Sequence, residues 1–134
     1  MHAGVVLGLQ LLVWTGTGAS YAEAHKMTIE KGCPLVVMVS ATWCPACQQM
    51  KQQVIPQVAE LGILRKVAFA EVDLEQERQL GTELTDGGPI PQIVVYRKTP
   101  LGWRQRRLVG GHDVRTVERF LRESIQADPG ESAK

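Results

Sequence analysis

The sequence is poor in several residue types that large functional classes need. Its 134 residues include only three cysteines and three histidines, and aromatic side chains make up 5% of the chain. The formal net charge at pH 7 is +1, so no overall electrostatic field attracts nucleic acid. Apolar residues form 44% of the sequence, which is enough for one hydrophobic core. We therefore expect a single domain with short tails.

The chain also lacks an apolar run of the roughly 20 residues that a membrane-spanning helix needs. Residues 5–14 form a shorter apolar stretch, which suits the core of a secretory signal, and residues 17–19 are small. No Lys or Arg precedes the stretch, although secretory signals usually begin with positive charge. We predict that residues 1–19 are a signal peptide and that the domain is exported. An uncleaved N-terminal membrane anchor and an extension of a cytoplasmic protein are the alternatives.

The most informative feature is the Cys-x-x-Cys pair in Trp43-Cys44-Pro45-Ala46-Cys47. It follows the short, β-branched apolar run 35–39, which predicts a buried strand. Residues 48–61 follow with one apolar helical face, so the cysteines lie where a strand ends and a helix begins. Unpaired N–H groups at a helix N-terminus stabilise a thiolate, which is the form that attacks disulfides. The spacing therefore predicts a reactive dithiol.

Other chemistries fit the pair less well. Haem attachment needs His directly after the second cysteine, where this chain has Gln48. A structural zinc site needs four ligands, usually from two such pairs, and the chain adds only Cys33 and three scattered histidines. We predict no metal site and no cofactor, and keep metal handling by the two cysteines as a minor alternative.

The hydrophobic pattern predicts eight elements. Helices are expected over residues 20–30, 44–61 with a break before Pro56, 75–84 and 113–126, and strands over 35–40, 67–72, 92–96 and 103–109 with a turn at 98–102. A helical crossover makes the first two strands parallel, and the turn makes the last two antiparallel. The expected fold is a three-layer α/β/α sandwich with a central mixed sheet of about four strands, spanning residues 20–126, before a flexible polar tail over 127–134.

A basic stretch lies in the last predicted hairpin. Residues 97–107 contain Arg97, Lys98, Arg104, Arg106 and Arg107. Together with nearby aromatic residues, this stretch could mark a nucleic-acid surface, but a solvated edge hairpin explains it as well. We favour the hairpin and predict no nucleic-acid partner.

The order of motifs along the chain resembles the thioredoxin family. These motifs are the Trp-Cys-x-x-Cys sequence after an apolar strand, Ile90-Pro91 before the third strand, and Val109-Gly110-Gly111 after the last one. The resemblance covers residues 20–126 and implies a thioredoxin-like fold. Residues 20–24, and the length of the region between Cys47 and the second strand, are similar to exported thioredoxin-like proteins of the disulfide-interchange type.

The resemblance also implies roles for individual residues. Cys44 would be the attacking thiol and Cys47 the resolving thiol, and the two would form the redox disulfide. Pro91 would be a cis-proline that faces the pair, and Ile90 would offer backbone groups to an extended substrate. The substrate-binding residues implied in this way are Trp43, Pro45, Ile90, Pro91 and Gly110.

Two departures from cytoplasmic thioredoxins stand out. The buried Asp expected six positions before the first cysteine is Met38, and the Lys that usually pairs with it aligns with Phe69. Because both polar groups are absent, neither is left buried without its partner. Their absence also removes the expected general base for Cys47. The residues between the cysteines are Pro45-Ala46 instead of Gly-Pro, a change that tunes the reduction potential.

Cys33 precedes the first strand and is expected at the end opposite to Cys44. Eleven residues along a mostly extended path span on the order of 30 Å, whereas the Cα atoms of a disulfide lie within about 7 Å. Cys33 therefore cannot pair with Cys44 within one folded domain. We predict a half-buried spectator thiol, with an intermolecular disulfide as the alternative.

The predicted function is thiol–disulfide oxidoreduction on protein disulfides, by a monomer. Ile90 is similar to the residue before the cis-proline in reducing thioredoxins, which favours a reductase or interchange role over a dedicated oxidase. An exported reductant needs an electron donor or acceptor partner, which the sequence does not identify. The alternative is a non-catalytic binding or chaperone-like module that uses the groove at Ile90-Pro91.

Overall fold

The computed structural model describes residues 20–126. The predicted signal segment, residues 1–19, and the predicted tail, residues 127–134, lie outside the described residues. The strands are β1 (Leu35–Ser40), β2 (Ala68–Asp73), β3 (Gln92–Thr99) and β4 (Gly102–Val109). The helices are α1 (Tyr21–Lys31), α2 (Pro45–Gln49), α3 (Ile55–Glu60), α4 (Arg78–Thr85) and α5 (Val114–Gln126), with a π-helical turn at Met50–Val54 and a 3-10 turn at Ile63–Lys66.

The four strands form one mixed sheet in the order β2-β1-β3-β4. β1 runs parallel to β2 and antiparallel to β3, and β3 runs antiparallel to β4. This arrangement confirms the predicted fold, including the parallel direction of β1 and β2 and the antiparallel direction of β3 and β4. β1 lies inside the sheet, and the Cys-x-x-Cys pair follows its carboxyl end.

The two faces of the sheet carry separate hydrophobic clusters. All six residues of β1 are buried, because both faces of this strand are covered. Val36 and Met38 pack in one cluster with residues of α3 and α5, whereas Val37 and Val39 pack in the other with Ala24 of α1 and residues of α4. The helices therefore form the outer two layers of an α/β/α sandwich.

α1 lies within one residue of the helix expected over residues 20–30. Ser20 is the N-cap: its Oγ accepts a hydrogen bond from the N–H of Glu23 at 3.1 Å, and its own N–H donates to Glu23 Oε1 at 3.3 Å. Gly32 ends the helix in the left-handed region, with φ of 76°. None of the helices within residues 20–126 is long and apolar enough to cross a membrane.

Three element boundaries differ from the sequence-based prediction. The helix expected from residue 75 begins at Arg78, because Asp73 Oδ1 accepts the N–H groups of Glu75 and Gln76 and holds them in a turn. The expected break before Pro56 is a π-helical turn, after which the helix continues as α3. The hairpin strands extend to Thr99 and Gly102, since Thr99 Oγ1 donates to the Gly102 carbonyl at 2.8 Å and tightens the turn.

Candidate active site

The Cys-x-x-Cys pair lies at the start of the helix that follows β1. Cys44 is the N-cap of α2, and its Sγ accepts the backbone N–H of Cys47 at 3.2 Å. Pro45 occupies the first helical turn, where its missing N–H costs no helical hydrogen bond. The Cys44 sulfur therefore lies at the positive end of a helix and receives a hydrogen bond from the backbone.

Cys44 and Cys47 are joined by a disulfide, and their Cα atoms are 5.2 Å apart. Access to the two cysteines differs: Cys44 is 6% exposed and Cys47 is 0% exposed. Both pack with Ala41 and the half-buried Ile90 in a small apolar cluster. An approaching molecule can therefore reach Cys44 before Cys47.

Two loops complete the surroundings of the disulfide. The Ile90–Pro91 peptide bond is cis, and the Pro91 carbonyl oxygen accepts the N–H of Gly110 at 2.8 Å. A Cβ placed on Gly111 would lie 3.4 Å from the Ala46 Cβ, so the chain after β4 packs directly against the turn between the cysteines. Ile90 contacts the cysteine cluster itself.

The rim of this site is apolar and open. Trp43, directly before the first cysteine, is 62% exposed. Val109, before Gly110, is also exposed, and Ile90 is half-buried. Exposed large apolar groups beside a disulfide are suited to contact with another polypeptide.

The sequence model of the thioredoxin family matches residues 17–123. The chain belongs to the thioredoxin family. It is similar to the protein named Thioredoxin Asp f 28 from Aspergillus fumigatus, with 35% identity over 96 residues that cover 70% of this chain and 80% of that protein.

Solved thioredoxin structures share the fold. A thioredoxin from Thermus thermophilus superposes with a TM-score of 0.69 at 22% identity, covering 80% of this chain and 85% of that one. Chloroplastic thioredoxin z superposes with a TM-score of 0.65 at 20% identity, covering 84% and 95%. Family membership, together with the disulfide-bonded Cys-x-x-Cys pair, makes this protein a thiol–disulfide oxidoreductase.

In this thioredoxin-family protein, apolar side chains occupy the core beneath the disulfide. Met38 is fully buried. The alignment of Phe69 with the partner of Met38 was wrong, because the register places Phe69 opposite Val36 and Glu71 opposite Met38. Phe69 packs half-buried against the same cluster, and Glu71 belongs to a charged pair on this face of the sheet. Glu71 Oε1 lies 3.9 Å from Nζ of Lys51, which is one helical turn beyond Cys47. Burial raises the pKa of Glu71, and the Lys51 charge opposes part of that rise.

Sequence reasoning missed Glu71, although β2 contains a signal for it. The strand alternates between fully and partly buried residues, and Glu71 follows Phe69 on the face that packs against the helix after the cysteines. A carboxylate at an inward-facing position of a strand is uncommon without a partner. Here the partner is Lys51.

The interpretation of the basic hairpin needs one correction. Solvation alone does not explain Arg107, because its Nη1 donates to the Leu84 carbonyl at 2.8 Å and to Gln92 Oε1 at 2.7 Å. Arg106 instead faces α5, where its guanidinium lies over the Phe120 ring and 3.9 Å from Glu123. Only part of the stretch is therefore a solvated surface.

Cys33 lies half-buried before β1 and is free, as predicted for a spectator thiol. It packs against the cluster on the α1 side of the sheet, at the opposite end of β1 from Cys44. Among residues 20–126, no three His, Cys, Asp or Glu side chains are grouped so that they could hold a metal ion.

Proposed function

We propose that Cys44 is the attacking thiol and Cys47 the resolving thiol in the reduction or exchange of protein disulfides. The observation that carries this assignment is the asymmetry of the pair. Cys44 keeps a small exposed surface, 6% of the residue, and its sulfur caps the helix and accepts the Cys47 N–H, whereas Cys47 has no exposed surface. The accessible sulfur is also the one whose anion the helix end stabilises.

The reaction proceeds in two thiol–disulfide exchanges. The Cys44 thiolate attacks one sulfur of the substrate disulfide, whose S–S bond breaks and releases one substrate thiolate. Cys47 then gives its proton to water or to the first substrate thiolate and attacks Cys44 Sγ, which forms the Cys44–Cys47 disulfide and releases the second substrate thiolate. The dithiol thus gives two electrons to the substrate, and an external dithiol must return them. The same steps in reverse oxidise a substrate dithiol.

The substrate-binding surface is the apolar rim around the disulfide. We assign it to Trp43, Pro45, Ile90, Pro91 and Gly110. Ile90 lies against the cysteine cluster, and an extended substrate can pair with its main chain by strand addition. Proline has no N–H, so the cis-proline cannot itself donate to the substrate.

Insulin reduction with dithiothreitol as electron donor tests the assignment. Cys44→Ser should abolish turnover and Cys33→Ser should keep full activity. Cys47→Ser, reduced beforehand and freed of dithiothreitol, should accumulate a mixed disulfide with the substrate. Full activity in the Cys44→Ser variant would overturn the mechanism. The reduction potential then decides direction: a value near about −270 mV indicates a reductant, and one near about −120 mV an oxidant.

A second candidate function is non-catalytic peptide binding in the same groove. The apolar side chain of Met38 favours it, because it leaves Cys47 without the buried Asp that the resemblance leads us to expect at this position. The Cys44→Ser and Cys47→Ser variants separate the two functions. A binding module would keep its affinity for an unfolded polypeptide in both variants, and its wild type would show no insulin turnover.

We also propose that the protein is exported and that cleavage precedes Ser20. The apolar stretch at residues 5–14 and the small residues 17–19 support this proposal. N-terminal sequencing of the protein recovered from its native cell fraction tests it. A mature chain that begins at Ser20 outside the cytoplasm is expected, and an intact N-terminus on a cytoplasmic protein would overturn it.

A further inference from the structure

A buried polar network holds the cis-proline segment from behind. Gln92 directly follows Pro91, is 1% exposed and faces the α4 side of the sheet, away from the cysteines. Its Nε2 donates to the Thr85 carbonyl at 3.3 Å, and its Oε1 accepts from Arg107 Nη1 at 2.7 Å. The same Nη1 donates to the Leu84 carbonyl at 2.8 Å. One amide and one guanidinium therefore join α4, β3 and β4.

The acceptors in this network are groups that need a partner. Leu84 and Thr85 form the end of α4, where helix carbonyls have no partner within the helix. The Thr85 carbonyl also accepts the N–H of Gly88 at 3.0 Å, so the loop that leads to Ile90 starts from the same point. A buried carbonyl or amide that loses its hydrogen-bond partner costs free energy of folding. The network therefore resists changes in its geometry.

The loop before the cis-proline lies directly on the Gln92 amide. A Cβ on Gly88 would come within 2.7 Å of Gln92 Nε2 and 3.2 Å of the Thr85 carbonyl. There is no free space between this loop and the amide, so the amide position sets the path of residues 88–91. Gln92 in turn is held by Arg107.

We propose that Arg107 and Gln92 are positioning residues. They hold the Ile90 backbone at the position beside Cys44 where an extended substrate can pair with it. This inference rests on the proposed function, because it assumes that the substrate pairs with Ile90. Neither side chain lies in the cysteine cluster, so both act through the loop and leave the chemistry of Cys44 unchanged. A small displacement of a binding backbone costs affinity steeply, because several aligned contacts weaken together.

The test compares Arg107→Met, which keeps the aliphatic stem and removes the guanidinium, with Arg107→Lys and with Arg104→Met. Arg104 lies on the same strand, on the other face of the sheet, and takes no part in the network. Each variant is assayed with insulin and with a small aromatic disulfide that can reach Cys44 without strand pairing. Circular dichroism and urea denaturation establish the folded fraction.

The expected result for Arg107→Met is a rise of roughly tenfold in KM for insulin with kcat within about twofold, while the rate with the small disulfide stays within about twofold. Arg107→Lys should recover part of the loss, and Arg104→Met should behave as wild type. If Arg107→Met does not fold, Arg107→Lys must still raise the insulin KM by about threefold, since one ammonium replaces the planar guanidinium.

Equal losses with both disulfides, or no loss with either in folded variants, would overturn this inference. The proposed function fails separately, through an inactive wild type or an active Cys44→Ser variant. If the wild type is active and Arg107→Met has the same kinetics, only the positioning role is refuted and the proposed function stands.

Discussion

The backbone N–H of Gly110 donates a hydrogen bond of 2.8 Å to the carbonyl oxygen of Pro91. The loop after β4 is thereby tied to the cis-proline, and its next residue, Gly111, packs against Ala46 between the cysteines. His112 N–H continues this attachment by donating to Met50 Sδ at 3.5 Å. The three chain segments around the disulfide are therefore joined by a main-chain hydrogen bond, a packing contact and an N–H···S hydrogen bond.

We expect Gly110→Ala to weaken substrate binding and lower stability together. Gly110 has φ of 93°, which L-residues rarely adopt, while the nearest atom to an added Cβ is 3.9 Å away. The penalty therefore comes from backbone strain of about 1–3 kcal/mol rather than from a clash. Relief of that strain moves the N–H away from Pro91 and should raise the KM for insulin. Urea denaturation and insulin kinetics measure the two effects.

Gly32→Ala is the matched control for that substitution. Gly32 has φ of 76° with no atom within 4 Å of an added Cβ, but it ends α1, far along the chain from the disulfide. It should lose a comparable amount of stability and keep the wild-type KM. An equal rise of KM in both variants would mean that general destabilisation, not the Pro91 contact, controls binding.

The second prediction concerns the reactivity of Cys44 in the reduced protein. The helix end and the Cys47 N–H should keep a larger fraction of Cys44 as thiolate at low pH than in the unfolded chain. The rate of its alkylation by iodoacetamide should fall between about pH 8.5 and pH 6.5 in both states. The factor by which the rate falls should be at least about ten times smaller in the folded protein than in urea. Mass spectrometry of the Cys44 peptide measures both rates. Identical pH profiles would remove the basis for assigning Cys44 as the nucleophile.

The parts of this molecule that were predictable are those that depend on local sequence. The run before Cys44 and the apolar face after it were sufficient to place the dithiol between a strand and a helix, and the helix expected over residues 20–30 matches α1 within one residue. Each of these signals lies within a few residues of the structure that it specifies. The fold and the position of the cysteines could therefore be derived before the structure.

The network behind the cis-proline could not be derived, because it depends on strand register. The hairpin turn consists of two residues between Thr99 and Gly102, and this places Arg107 on the same face as Gln92. A turn one residue longer would place Leu108 opposite Val94 and turn Arg107 to the other face, since a register shift of one reverses every side chain. The expected turn at residues 98–102 did not distinguish these registers. The Lys51–Glu71 pair was missed for a related reason, since it joins a helix to a strand 20 residues away.

The third prediction tests whether the core beneath the disulfide tolerates a carboxylate. Met38→Asp should destabilise the protein by about 3–5 kcal/mol, because it buries an unpaired charge next to Glu71. Met38→Leu, the volume-matched control, should lose less than about 1.5 kcal/mol. Adding Glu71→Lys to Met38→Asp should restore part of the stability, because it removes the like charge and places an ammonium at the register partner of residue 38. Chemical denaturation at neutral pH measures all three, and a loss below about 1 kcal/mol for Met38→Asp would show that water reaches this core.

The fourth prediction concerns the pH dependence of stability contributed by Glu71. Burial raises its pKa in the folded protein above the ordinary value of 4.5, despite the opposing charge of Lys51. As pH rises through the ordinary value, the unfolded chain releases this proton first while the folded protein retains it. The contribution of Glu71 to the free energy of unfolding therefore falls across the window from 4.5 up to the raised folded pKa, and stays constant above it.

Glu71→Gln removes this titration and keeps the shape of the side chain. The variant and the wild type should be closest in stability at about pH 3, where Glu71 is neutral in both states, and the variant should gain relative to the wild type as pH rises towards about 7. Taking the difference between the two proteins cancels the other titrating groups, including Asp113, whose hydrogen bond from Thr116 lowers its pKa. Lys51→Met should act in the opposite direction from Glu71→Gln, because loss of the cation raises the Glu71 pKa further and widens the window. Urea denaturation across this pH range measures the free energy of unfolding of each protein. A difference between wild type and Glu71→Gln that does not change with pH would mean that water solvates the carboxylate fully.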